Sequence, residues 1–175
     1  SEDSISRYVS PDSSPTARVL GAMAYDRYRT AVEILAAHPE CWRRFGIIAG
    51  HGTRPVVRGV DRLHRTLLHH AAAYEREPRV TELLLRWGAD VDARDNEGGK
   101  TPLHRAAKRA GRERTIACLL ERGAAVDEVD YLGRTPLMVA ARYDHKSNCE
   151  ALIAAGADVE RIDLMNGWTA LKFAV

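Results

Sequence analysis

The sequence predicts an all-α repeat solenoid, an array of helix-turn-helix units with β-hairpin tips and an N-terminal helical cap. Three observations carry this reading. The segments "TLLHHAA", "TPLHRAA", "TPLMVAA" and "TALKFAV" begin at Thr66, Thr101, Thr135 and Thr169, at intervals of 35, 34 and 34 residues. Between them run "LLLRWGADVDARD", "CLLERGAAVDEVD" and "ALIAAGADVERID", whose glycines Gly88, Gly123 and Gly156 lie 35 and 33 residues apart. Within each unit the apolar residues follow helical spacing. A fixed period in the low thirties marks supersecondary elements that cannot bury their apolar faces alone and therefore stack.

In chain order, residues 1–16 hold six serines and two prolines with little apolar content, the composition of a disordered tail. Residues 17–60 follow as an N-terminal helical cap and a long loop. Val19, Leu20, Met23, Ala31, Val32 and Leu35 line up at helical spacing, and "TAVEILAAHPE" reads as the second helix of a degenerate repeat covering the first stacked face. Residues 39–60, with four glycines and two prolines, read as an irregular connection that Trp42, Phe45 and Ile47 would pin to the stack. Its "GHGT" lacks the preceding strand and the GK[ST] of a phosphate loop.

Residues 61–175 hold three full units and one incomplete one. In the second full unit Thr101 is placed to cap a helix through its hydroxyl, and Pro102 takes the first helical position, where a missing N–H costs nothing. The small pair Ala106 and Ala107 admits a neighbouring helix. After a turn around Gly111, Ile116, Leu119 and Leu120 form the apolar stripe of a second helix, which Gly123 ends by accepting a left-handed conformation. "VDEVDYLGRT" then carries the chain outward through a turn to the next Thr. Val80, Leu83 and Leu84 repeat the stripe one unit earlier, and Cys149, Leu152 and Ile153 one unit later. The last unit lacks its second helix, which would leave Leu171 and Phe173 exposed for a partner, another repeat or self-association to cover.

The segments "GKTPLHRAA", "LLERGAAVDEVDYLGRTPLMVAA" and "LIAAGADVERID" resemble the ankyrin repeat family. The resemblance implies that His69 and His104, at the "TPLH" position, make structural hydrogen bonds at the helix start. It places His64 where the tip glycine would stand, and gives "NEGGK" and "LMNGW" one residue more than the family's tip turn.

Composition and motifs narrow the function. A formal charge of +2 gives no support to bulk nucleic-acid binding. Cys41, Cys118 and Cys149 form no CxxC pair, so neither a disulfide framework nor a zinc site is indicated. No apolar run approaches the roughly 18 residues of a membrane span, and the N-terminus is polar. The expected localisation is cytoplasmic or nuclear. The chain opens on Ser1 and stops inside a repeat unit, so a longer parent is expected. His64, His69 and His70 crowd together, but with no HExxH-like spacing the expectation is no metal. No nucleophile elbow or ordered Ser, His and Asp set is legible, so no catalytic residue and no cofactor is assigned.

Surface recognition remains. In the family, hairpin tips and exposed first-helix positions form the face that holds partners. Those positions here include Arg62, Arg65, Lys100, Lys108, Arg109, Arg134 and Arg142, with Glu97 the single acid, and Arg105 bordering them. The second helices of the first two full units are balanced, with Arg76, Arg79, Arg86, Arg112, Arg114 and Arg122 set against Glu75, Glu77, Glu82, Glu113 and Glu121. Aromatic residues and arginines anchor interfaces because they bury large area while fixing polar geometry. The expected partner-binding set is therefore Arg65, Tyr74, Lys100, Arg105, Lys108, Arg109, Tyr131, Arg134, Arg142, Tyr143 and Trp168, and the expected partner an acidic or phosphorylated peptide or protein surface. An anionic membrane or nucleic-acid surface is the alternative, as is a recruiting or regulatory role within a larger enzyme or ubiquitin-ligase adaptor.

Overall fold

The computed structural model describes Ile34, residues 60–75 and residues 77–175. The expected tail and Arg76, and the cap and loop apart from Ile34 and Val60, lie outside the described residues. Within them run seven helices: α1 Leu67–Tyr74, α2 Arg79–Arg86, α3 Pro102–Ala107, α4 Glu113–Glu121, α5 Pro136–Arg142, α6 Lys146–Ala154 and α7 Ala170–Phe173. They form two layers. Helices α1, α3, α5 and α7 pack successively in one, while α2, α4 and α6 form the other, each against the first helix of its own unit.

The first helices of the three full units start the same way because the Thr does the same work. The hydroxyls of Thr66, Thr101 and Thr135 accept from the backbone N–H of His69, His104 and Met138, three residues on. In the first two units the His Nδ1 in turn accepts from the Thr backbone N–H, completing a reciprocal cap. Thr169 makes no side-chain cap.

The core is one continuous cluster. Leu68, Leu103 and Leu137 are buried two residues after each Thr, and Leu84, Leu119 and Leu152 are buried on the second helices, with Ile34 joining them. Ala71, Ala106 and Ala140 are fully buried between first helices. Side chains of that size are what allow the backbones to approach. Gly88, Gly123 and Gly156 have φ of 81, 90 and 88°. The amides of Ala89, Ala124 and Ala157 bond back to Leu84, Leu119 and Leu152. This Schellman closure needs a left-handed residue at each glycine.

The structure revises four expectations. First, the tips contain no paired strands among the described residues; the one β-bridge joins Val60 to Thr66. Two backbone bonds close each of the later tips: Asp95 N–H to Lys100 and Gly99 N–H to Asp95, Asp130 N–H to Arg134 and Gly133 N–H to Asp130, Asp163 N–H to Trp168 and Gly167 N–H to Asp163. Several other tip amides turn inward to an aspartate side chain, and those of Asn96, Tyr131 and Leu164 each bond a carbonyl of the preceding tip, at Leu63, Gly98 and Leu132. Second, Ile153 does not share the buried stripe of α6: it is half exposed, and Cys149 only partly buried, leaving Leu152 as the helix's fully buried apolar residue. Third, Phe173 is partly buried by edge-to-face contact with Trp168 at 5.5 Å, whereas Leu171 is exposed as expected. Fourth, Arg112 and Glu75 do not belong to a solvated rear. Both are buried. The Arg112 guanidinium donates to the Ala73 carbonyl, and the Glu75 carboxylate accepts from the amides of Val80 and Thr81, capping α2.

Candidate partner-binding site

An aspartate anchors every tip. Asp61 Oδ1 accepts from the amides of Leu63 and Arg65, both at 2.9 Å, and Asp130 Oδ1 from those of Leu132 and Arg134 at 2.9 and 3.0 Å. Asp95 accepts from Lys100 N–H, and Asp163 from the amides of Met165, Asn166 and Trp168. Asp61, Asp95, Asp130 and Asp163 are all buried. A buried carboxylate is stabilised by amide donors or by a positive partner, and in three of the tips the partner is one of the expected groove arginines.

In the first unit Arg65 Nε donates to Asp61 Oδ2 at 2.6 Å, and His70 Nε2 approaches the same oxygen at 3.0 Å. In the third, Arg134 Nε and Nη2 donate to Asp130 Oδ2 at 3.0 and 2.7 Å. In the second unit Lys100 stands at the tip where the first and third carry arginine. Arg105, four residues beyond Thr101, fills the gap by bonding Asp95 through Nε at 2.9 Å and through Nη2. It occupies the register that His70 occupies in the first unit. Burial opposes ionisation of Asp61 and Asp130, but bonds from the tip amides and from Arg65, His70 or Arg134 hold both carboxyls below the usual range. Arg65, Arg105 and Arg134 are thus half structural. Their second role is to neutralise an internal acid.

Five of the expected residues converge. Arg65, Tyr74, Arg105, Lys108 and Arg109 line one pocket of about 40 Å³ with His69, His70 and Ala73. That is room for a single charged group rather than a whole small molecule. The Arg109 guanidinium lies over the Tyr74 ring and the Lys108 ammonium over the Tyr143 ring, each 5.4 Å from the centroid. Such contacts hold cations in place at the surface with their remaining donors available. Tyr131 belongs to the tip ridge, against Gly99 of the preceding tip. Trp168 lies on the last tip, and Arg142 is exposed at the end of α5. Neither lines the pocket. Lys100 donates from Nζ to the Glu97 carbonyl at its own tip.

Neighbouring units are tied by the histidines at the helix starts. His69 Nε2 meets the Lys100 carbonyl at 3.0 Å, and His104 Nε2 the Arg134 carbonyl at 2.9 Å. Three copies of the family model "Ankyrin repeats" match residues 68–163, more than half of the chain. The chain belongs to the ankyrin-repeat family. These are protein-interaction modules. It is 33% identical over 105 residues to a probable E3 ubiquitin-protein ligase of Oryza sativa subsp. japonica, XBOS32, covering 59% of this chain and 21% of the relative. It is 39% identical over 101 residues to human Rabankyrin-5, covering 51% of this chain and 8% of the relative. A third match, 39% over 115 residues, is Neurogenic locus notch homolog protein 1 of Xenopus laevis, covering 65% and 4%. The chain thus spans about a fifth or less of the length of these relatives.

The tip aspartates of this ankyrin stack are not among the residues expected from the sequence. Their signal was present as an Asp five residues before Thr66 and Thr135, and six before Thr101 and Thr169, where the tips carry an extra residue. His69 and His104 behave as the resemblance implied, and His64 takes φ of 55° in the tip position of a glycine. No helix among the described residues is long and apolar enough to cross a membrane.

Proposed function

We propose that this ankyrin stack holds an acidic or phosphorylated peptide segment of another protein against the face formed by its first helices and tips. The convergence of Arg65, Arg105, Lys108 and Arg109 on one pocket beside Tyr74 carries this reading. The flanking Tyr131, Tyr143 and Trp168, all exposed, supply apolar area along the same side. Lys108 and Arg109 draw an anion in, and the rings hold the peptide around it. Self-association through exposed Leu171 is a further contact of this kind. On this reading the chain carries recognition rather than catalysis, and works in the cytoplasm or nucleus.

The test is fluorescence anisotropy of the 175-residue chain with degenerate peptide pools centred on an acidic, a phosphorylated or a neutral residue. Binding of the charged pools should fall about tenfold or more in a Lys108→Ala/Arg109→Ala double variant, the loss of one or two interface anchors. Arg114→Ala, at an exposed position of α4, should leave it unchanged. Equal losses from both would remove the assignment to this face.

A second reading, recruitment of a substrate within a larger ubiquitin ligase, is favoured by relatives named as E3 ubiquitin-protein ligases in rice and Arabidopsis thaliana. Ubiquitylation of a captured peptide-bearing protein by the full-length parent would support it.

A further inference from the structure

Within that pocket the charges are not arranged as an open cradle. Glu97, on the second tip, extends its carboxylate to two of the arginines that line it. Its Oε2 accepts from Arg105 Nη2 at 2.6 Å and lies 3.8 Å from Arg65 Nη1. The two arginines come from different units, one from the first tip and one from α3. A single carboxylate oxygen thus bridges two guanidiniums that line the pocket.

The three participants differ in burial. Arg105 is 11% exposed at its side chain and Arg65 27%, whereas Glu97 is 45% exposed. Arg105 is held by buried Asp95 and Arg65 by buried Asp61, so both arginines stay in place when Glu97 leaves. Glu97 has no comparable anchor beyond its contacts to these cations. Glu97 itself is nearly half exposed, and a pair open to water on one side is worth little, so the carboxylate can swing out at small cost. The bond from Arg105, outweighing modest burial, holds its carboxyl below the usual range, so it is ionised at neutral pH.

We infer that Glu97 is an intramolecular occupant of the Arg65–Arg105 pair, and that its presence makes the site select phosphorylated peptides over merely acidic ones. This rests on the proposed function above and sharpens it. A ligand Asp or Glu offers what Glu97 already supplies, one carboxylate for another. A phosphomonoester brings about −1.5 to −2 charges and three acceptor oxygens, enough to bond both guanidiniums and reach Lys108 or Arg109 together. Exchange is therefore favourable for a phosphate and near neutral for a carboxylate. Removing the Glu97 charge should benefit the carboxylate ligand more, because it was the one whose gain was cancelled.

Anisotropy with degenerate fluorescein-labelled peptide pools, fixed at the centre as phosphoserine, Glu or Ser, tests this on the 175-residue chain and on Glu97→Gln. Because Glu97 is exposed and in a tip, the variant should keep the wild-type thermal midpoint, which is measured alongside. The wild type should bind the phosphoserine pool about tenfold more tightly than the Glu pool, in keeping with the added charge and bonds. In Glu97→Gln the Glu pool should tighten by about fivefold or more and the ratio between pools shrink. Both pools binding with a ratio unchanged in Glu97→Gln would overturn the role of Glu97 and leave the acidic-peptide reading intact. Neither pool exceeding the Ser pool in either protein would overturn both. So would binding confined to phosphatidylinositol-bisphosphate vesicles, which would assign the arginines to a lipid headgroup.

Discussion

His104 joins two ankyrin units with one ring: Nε2 donates to the Arg134 carbonyl at 2.9 Å, while Nδ1 accepts from the Thr101 backbone N–H at 3.3 Å. The carbonyl can only accept, so the tautomer is decided, and the ring must stay neutral to serve the cap as acceptor. His104→Leu loses both bonds: the Arg134 carbonyl keeps the Asp130 N–H, but the buried Thr101 N–H is left without its acceptor. The expected cost is about 1 to 3 kcal/mol, read as a fall in the urea midpoint at pH 7.5. An unchanged midpoint would mean the ring contributes packing alone.

The same neutrality predicts an acid-sensitive fold. Burial, outweighing the bond to Lys100, brings His69 down to about 4, and burial also lowers His104. An unfolded histidine takes up its proton near pH 6.5, whereas these remain neutral in the fold. The unfolded state therefore binds more protons between about pH 6.5 and 4, and stability falls steadily as pH drops through that window. His69 accounts for about 3 kcal/mol at most, taking about 1.4 kcal/mol per unit. Denaturant melts at pH 7.5, 6, 5 and 4 should show the decline, and His69→Gln should flatten it. A flat profile for the native chain would contradict the buried neutral rings.

Arg134 should matter more to the fold than to any ligand. Its guanidinium is the charged partner of buried Asp130, so Arg134→Ala leaves that carboxylate with tip amides alone. A loss of about 1 to 3 kcal/mol is expected, with Arg134→Lys recovering part of it. Thermal unfolding of the three proteins at pH 7 checks this.

Gly99 is tested by its neighbour. It sits at φ 69°, and an added Cβ would lie 2.3 Å from Tyr131 Cε1. Gly99→Ala therefore combines left-handed strain with displacement of the ring, costing about 1 to 3 kcal/mol. Pairing it with Tyr131→Ala should give back the steric part. An additive double variant would show that the ring does not rest on the glycine.

Leu152 and Ile153 are adjacent on α6, yet only Leu152 is fully buried. Leu152→Ala should cost about 2 to 5 kcal/mol, Ile153→Ala less than about 1. Comparable losses would mean that this helix sits in a different register.

The array was legible before any coordinates because its determinants are local. Thr66, Thr101 and Thr135 cap through atoms three residues away, Gly88, Gly123 and Gly156 answer to their own φ, and the helical stripes follow from 3.6 residues per turn. The tips hold no paired strands among the described residues because a turn signal says where the chain reverses, but not where its amides point; here some point to a buried aspartate and others to the preceding tip.

The candidate site divides along the same line. Sequence alone determined which residues fall on the tips and first helices, since repeat register assigns each to a face. Only the tertiary structure decided how their charges are spent, because Arg65, Arg105 and Arg134 meet Asp61, Asp95 and Asp130 through folding of each unit, and Glu97 reaches Arg65 only once two units have stacked. Coulombic pairing depends on distance in space, and a period along the chain carries no information on which oppositely charged atoms will arrive within a few ångströms of each other.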